Sequence, residues 1–137
     1  MDTSPLLRAH LLAIAVLPMT ACDRGDSVTS ASPGMRLVQD ATASGLPTVV
    51  EFGAETCASC REMKTVLDRV SRQTEGRAHV LNIDISKEWE TAQTFRIQTL
   101  STHVLFGPDG RESWRQMGKL PETTVIARLG LDLASSS

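Results

Sequence analysis

From Thr48 to Gly53 the chain reads Thr-Val-Val-Glu-Phe-Gly, β-branched and apolar residues interrupted by a single carboxylate. So short and apolar a run predicts a buried strand. From Ala58 to Thr74 the period changes. Met63, Val66, Leu67 and Val70 recur at i, i+3, i+4 and i+7, the spacing of one helix face, while Arg61, Lys64, Asp68, Arg69 and Arg72 fall on the other. Gly76 supplies a stop. His79 to Ile85 predicts a second strand, Lys87 to Phe95 a short helix, and Thr102 to Phe106 a third strand. Gly107-Pro-Asp-Gly110 has turn composition, so Arg111 to Met117 returns as a fourth strand in a hairpin. Pro121 suits the first position of a last helix that buries Val125, Ile126, Leu129 and Leu133. Upstream, Arg36-Leu-Val-Gln39 reads as a short edge strand. The order β-α-β-α-β-β-α predicts an α/β domain with a central mixed sheet and helices on both faces.

The first part of the chain has a different pattern. Arg8 and His10 precede an apolar stretch from Leu11 to Leu17. A membrane-spanning helix takes about 20 apolar residues, so this stretch reads as a secretory signal. Met19-Thr-Ala-Cys22 resembles a bacterial lipobox, in which cleavage leaves the cysteine as a lipid-bearing N-terminus. Asp23 resembles the residue that retains such lipoproteins at the inner membrane, which implies a location on its periplasmic side. Residues 23–34 are rich in Ser, Gly, Asp, Thr and Pro and read as a flexible tether. The expected organisation is therefore a signal peptide over 1–21, a tether over 22–34 and one domain over 35–137. A formal net charge of -2 over 137 residues gives no reason to expect a nucleic-acid partner. Nothing demands more than a monomer.

Three cysteines are present, and two of them form Cys57-Ala-Ser-Cys60 at the start of the predicted long helix. In that position the motif is a redox signal first and a metal signal second. Two intervening residues let both sulfurs lie at one helix end. There the unpaired backbone N–H groups stabilise a thiolate. Cys57, the first and more exposed, is the expected attacking thiolate, and Cys60, one turn further in, the resolving one. A structural zinc site needs four ligands, and the motif offers two. Glu51 sits inside the apolar strand, where an unpaired buried carboxylate is costly; the alternative is a partly exposed residue at a strand edge. The Ser59 hydroxyl either donates to a thiolate or caps the helix. His103 lies two residues past Ser101 and so shares its face. It reads either as a core histidine with its ring satisfied or as a third donor beside two sulfurs, a set that suits copper.

These pieces together resemble the thioredoxin-fold family from about Met35 to Leu133. The residues that carry the resemblance are Val49 to Cys60, Val80 to Asp84, Phe95 to Thr102, the hairpin Leu105 to Gly110, and Met117-Gly118 before the last helix. With the lipobox, the chain most resembles bacterial extracytoplasmic thioredoxin-like lipoproteins. The resemblance implies a thiol–disulfide oxidoreductase acting on protein thiols and disulfides, as a reductant fed by a membrane electron donor. It implies no cofactor and no resident metal. It places a carboxylate, here Glu51, beneath Cys60 as proton acceptor, and puts Thr56, Leu100, Ser101 and Gly118 in the partner-docking surface. Two positions depart from the family: Thr56 stands where Trp is usual, and Ser101 where a cis-proline faces the cysteines. A cis bond before Ser costs about 2.5–4 kcal/mol, so a trans loop is expected. The family's cis-proline also keeps metals off the thiolates. The alternative function is accordingly a copper-binding module using Cys57, Cys60 and His103.

Overall fold

The computed structural model describes residues 31–132. Its elements run α1 (Pro33–Ala43), β1 (Thr48–Gly53), α2 (Ala58–Gln73), β2 (His79–Asp84), α3 (Trp89–Thr94), β3 (Thr102–Phe106), β4 (Glu112–Met117) and α4 (Glu122–Arg128). The four strands form one sheet in the order β2-β1-β3-β4. β1 and β2 are parallel and joined through α2, whereas β1–β3 and β3–β4 are antiparallel. β1 and β3 are central and buried at every position, which is why apolar or β-branched residues fill them without the alternation of a half-exposed strand, apart from Glu51 and His103.

The strands alternate their side chains between two cores. Val49 and Leu105 face Met63, Leu67 and Val70 of α2 and Val125 and Ile126 of α4. Val50, Phe52, Val104 and Phe106 face Val38 of α1, with Phe95 and Ile97 packed against that cluster. Helices thus cover both faces, as the pattern predicts. Glu51 belongs to the α2 face and is the one charged residue of β1.

The region of Arg36–Gln39 is helical rather than an edge strand. The Ser32 hydroxyl accepts from the Met35 N–H, Pro33 occupies the first turn, and Gly34, Val38 and Ala41 are buried on one face. The helical period extends beyond that four-residue window, which is too short to show it. Pro33 and Gly34, assigned to the tether by composition, are the first turn of α1. Smaller corrections concern ends: Pro121 is the N-cap of α4 and not its first residue, and β2 stops at Asp84. Trp89 is not a packing residue, being 57% exposed at the start of α3. Trp114 does pack against the α2-side core, with the Arg128 guanidinium 5.0 Å from its ring centre. The signal peptide, Cys22 and Leu133 lie outside the described residues.

Leu67 is wholly buried between α2 and the sheet. Leu67→Ala is expected to lower unfolding free energy by about 2–5 kcal/mol, read from the denaturant midpoint.

Candidate functional site

β1 delivers the chain to the head of α2 through the short segment Ala54–Thr56. Cys57 is the N-cap of α2, and its sulfur accepts from the Cys60 N–H at 3.3 Å. The two cysteines form a disulfide with a Cα–Cα distance of 5.3 Å. Cys57 is half-buried, whereas Cys60 is only 5% exposed. The Ser59 hydroxyl lies 3.1 Å from the Cys57 sulfur. Since Cys57 itself caps the helix, the contact of Ser59 is with sulfur. Gly53 ends β1 directly against this helix: a Cβ there would stand 3.0 Å from the Cβ of Cys60 and 3.1 Å from its sulfur. A side chain at 53 would crowd Cys60, which would have to give way by a few tenths of an ångström.

Glu51 lies beneath Cys60, 2% exposed, which excludes the strand-edge alternative. Burial pushes its carboxyl up to about 7; the Ser101 hydroxyl, donating at 3.3 Å, and the positive charge of Lys64 act against that rise. A cavity of about 390 Å³ opens beside it, with Glu51, Cys60, Arg61, Lys64, Asn82 and Asp84 in its wall. It opens to solvent and is large enough to admit water beside the carboxyl. Lys64 and Asn82 were not candidates from the sequence. Lys64 reads as outer-face only if the helix is taken as a flat two-sided object, but four residues from Cys60 it follows that cysteine up the cavity flank.

Strand register sets the other neighbour. Glu51 is directly opposite Asn82 on one side and His103 on the other, and His103 is opposite Gln116. A polar row thus crosses an otherwise apolar face, exposed at its ends and buried at its centre. His103 is fully buried and neither ring nitrogen has a hydrogen-bond partner, so it is a core histidine but not a satisfied one. Burial lowers its pKa and keeps it neutral, against a smaller opposing effect of the Gln116 backbone. Among the described residues no three His, Cys, Asp or Glu side chains gather closely enough to hold a metal ion, so the copper set of Cys57, Cys60 and His103 is not assembled.

Ser101 is 1% exposed and has a left-handed backbone, φ 55°. Its carbonyl accepts from the Gly118 N–H at 2.8 Å, and Gly118 is itself left-handed at φ 86°. Glu51, Ser101 and Gly118 are thus joined by successive hydrogen bonds, and Cys60 and the Glu51 carboxyl both border Gly53. Leu100 and Met117, which flank Ser101 and Gly118 in the chain, are exposed apolar residues, and Thr56 beside Cys57 is exposed as well. No described helix is long and apolar enough to cross a membrane.

A disulfide at a helix start, its inner cysteine over a buried carboxyl, on a β2-β1-β3-β4 sheet covered on both faces, defines a thiol–disulfide exchange protein. The thioredoxin family pattern matches residues 36–130. A thioredoxin of Synechocystis is 31% identical over 91 residues, spanning 66% of this chain and 84% of that one. The chloroplastic thioredoxin-like protein HCF164 of Arabidopsis thaliana is 25% identical over 118 residues, 85% of this chain but 45% of that longer one. Among solved structures, chloroplastic thioredoxin z superposes with a TM-score of 0.64 at 26% identity, over 71% of this chain and 87% of that one. The chain belongs to the thioredoxin family and is a thiol–disulfide oxidoreductase with Cys57–Cys60 as its Cys-x-x-Cys pair. As in that family, it acts on protein thiols or disulfides.

The raised Glu51 pKa has a thermodynamic consequence. Between pH 4.5 and about 7 the folded state keeps a proton that the unfolded state has lost. Stability conferred below that window is therefore lost as pH rises through it, by an amount on the order of 3 kcal/mol. His103, its pKa lowered by burial, contributes the opposite slope below pH 6.5. The check is therefore the difference: between pH 4.5 and about 7 the denaturant midpoint of Glu51→Gln is expected to gain on the wild type as pH rises.

Proposed function

We propose that this oxidoreductase reduces protein disulfides outside the cytoplasm, held at the periplasmic face of the inner membrane by a lipid on Cys22. The observation that carries the chemistry is the asymmetry of the pair: Cys57 partly exposed at the α2 N-terminus, Cys60 buried over Glu51. In the dithiol form the Cys57 thiolate attacks one sulfur of a substrate disulfide. A mixed disulfide forms and one substrate thiolate leaves. Glu51, through water in the adjoining cavity, takes the proton of Cys60, whose sulfur then attacks Cys57. The second substrate thiolate departs with the pair of the mixed-disulfide bond. The substrate disulfide has become two thiols, and Cys57–Cys60, having given up two electrons, is left as a disulfide. A membrane electron donor restores the dithiol.

Docking falls to Thr56, Leu100 and Gly118; Ser101, expected among them, is 1% exposed and turns its side chain to Glu51 instead. Leu100 and its neighbour Met117 offer apolar surface, and Thr56 is exposed beside Cys57. The location rests on Met19-Thr-Ala-Cys22 and Asp23.

With dithiothreitol as donor, reduction of a model protein disulfide is expected to be lost in Cys57→Ser, while Cys60→Ser is expected to accumulate the mixed disulfide seen on a non-reducing gel. A reduction potential of about -270 mV or below supports the reducing direction; one near about -120 mV would reverse it. Labelling with a radioactive fatty acid in a bacterial host is expected for the wild type and not for Cys22→Ser, and label retained on Cys22→Ser would end the lipoprotein reading.

A further inference from the structure

We infer that Ser101 is a positioning residue for the resolving half-reaction: its buried hydroxyl, aimed beneath the sheet by a left-handed backbone, holds Glu51 in its proton-accepting form. This rests on the reading of Glu51 as the proton acceptor of Cys60.

The geometry that supports it is specific. A non-glycine residue with positive φ is uncommon, and nothing about a serine side chain removes the steric conflict. The conformation is held by flanking bonds, from the Gly118 N–H to the Ser101 carbonyl at 2.8 Å and from the Thr102 hydroxyl to the Thr99 carbonyl at 2.6 Å. Its result is to turn the hydroxyl away from solvent onto Oε1 of Glu51, at 3.3 Å, 50 positions away in the chain. Among the described residues this is the hydrogen bond that the Glu51 carboxyl receives. The other groups around the carboxyl do not replace it. His103 on β3 is neutral and unpartnered. Lys64 on α2 favours the ionised form only through space, and Arg61, Glu55 and Asp84 share the cavity wall without a hydrogen bond to the carboxyl. Cys60 is the group whose proton must be received.

A hydroxyl that donates to a carboxylate stabilises the charged form over the protonated one. Without it, burial is less opposed and Glu51 holds its proton to higher pH. Fewer molecules at neutral pH then have a base ready for Cys60.

The test uses Ser101→Ala and Ser101→Gly; the glycine variant adopts positive φ without strain, so it keeps the fold if alanine does not. In the disulfide form, where neither sulfur titrates, the Glu51 side-chain carboxyl carbon is followed by NMR against pH, assigned by its absence in Glu51→Gln, with the His103 ring followed separately. The midpoint is expected to rise by about half to one pH unit in both serine variants. Release of substrate from the mixed disulfide, timed by stopped flow, is expected to slow about threefold at pH 7 and to recover near pH 9, as the base is deprotonated. An unmoved midpoint in the folded variants overturns the role of Ser101 and leaves Glu51 as acceptor intact. An inflection in release near pH 7, distinct from that of the Cys60 thiol at higher pH, that persists in Glu51→Gln instead overturns the acceptor reading, and the positioning role with it.

Discussion

A carboxyl on the central strand of a mixed sheet is the constraint around which this molecule is arranged. Glu51 lies where Val49 and Gly53 on the same face contact only the α2 side. Burying its charge there is unfavourable, and the protein compensates with proton uptake instead of an ion pair: the pKa moves to about 7 and the nearest cation, Lys64, acts at a distance. The surrounding features make sense as accommodations of that group. Gly53 brings Cys60 down over it, the cavity beside it admits water, and Ser101 reaches it from the loop before β3. A group so placed exchanges its proton near neutral pH, the range in which a thiol must be deprotonated to exchange.

What could be read from the residues follows from the range over which each signal acts. β1, β3 and α2 were legible because burial on both faces, or on one stripe, writes itself into consecutive residues. α1 was not, since its helical character depends on Ser32, Pro33 and Val38 taken together, and Arg36–Gln39 alone looks extended. The cysteine pair was legible from its spacing at a helix start and the buried carboxyl from the apolar strand around it, while its place beneath Cys60 came from the family resemblance. His103 and Ser101 become neighbours of Glu51 only through the register of β1 against β3, which no local pattern specifies. Alternation did place them on one face; the unpartnered imidazole and the direction of the hydroxyl are tertiary facts.

The two departures from the family pattern differ in kind. Thr56 is exposed beside Cys57, so its effect falls on what docks there. Ser101 is buried, and its side chain points into the protein, so its effect falls on the chemistry beneath the cysteines. The outer face of the loop remains with Leu100, and the hairpin partner with Gly118. A substitution at 101 therefore separates surface recognition from proton handling, functions that the same loop carries side by side.

Magnitudes show why stability alone is a poor account of Ser101. A left-handed backbone costs an L-residue roughly 1–2 kcal/mol. A hydrogen bond to a charged group contributes about 1.5–3 kcal/mol, and one of 3.3 Å belongs at the weak end of that range. The two nearly cancel. The carboxyl is moreover about half ionised near neutral pH, so the favourable contribution is only partly realised there. What does not cancel is the bias between protonation states, because the backbone cost is the same whether Glu51 is charged or neutral, while the hydroxyl's contribution is larger for the carboxylate. The residue's net effect on folding is small, and its effect on where Glu51 gives up its proton is not.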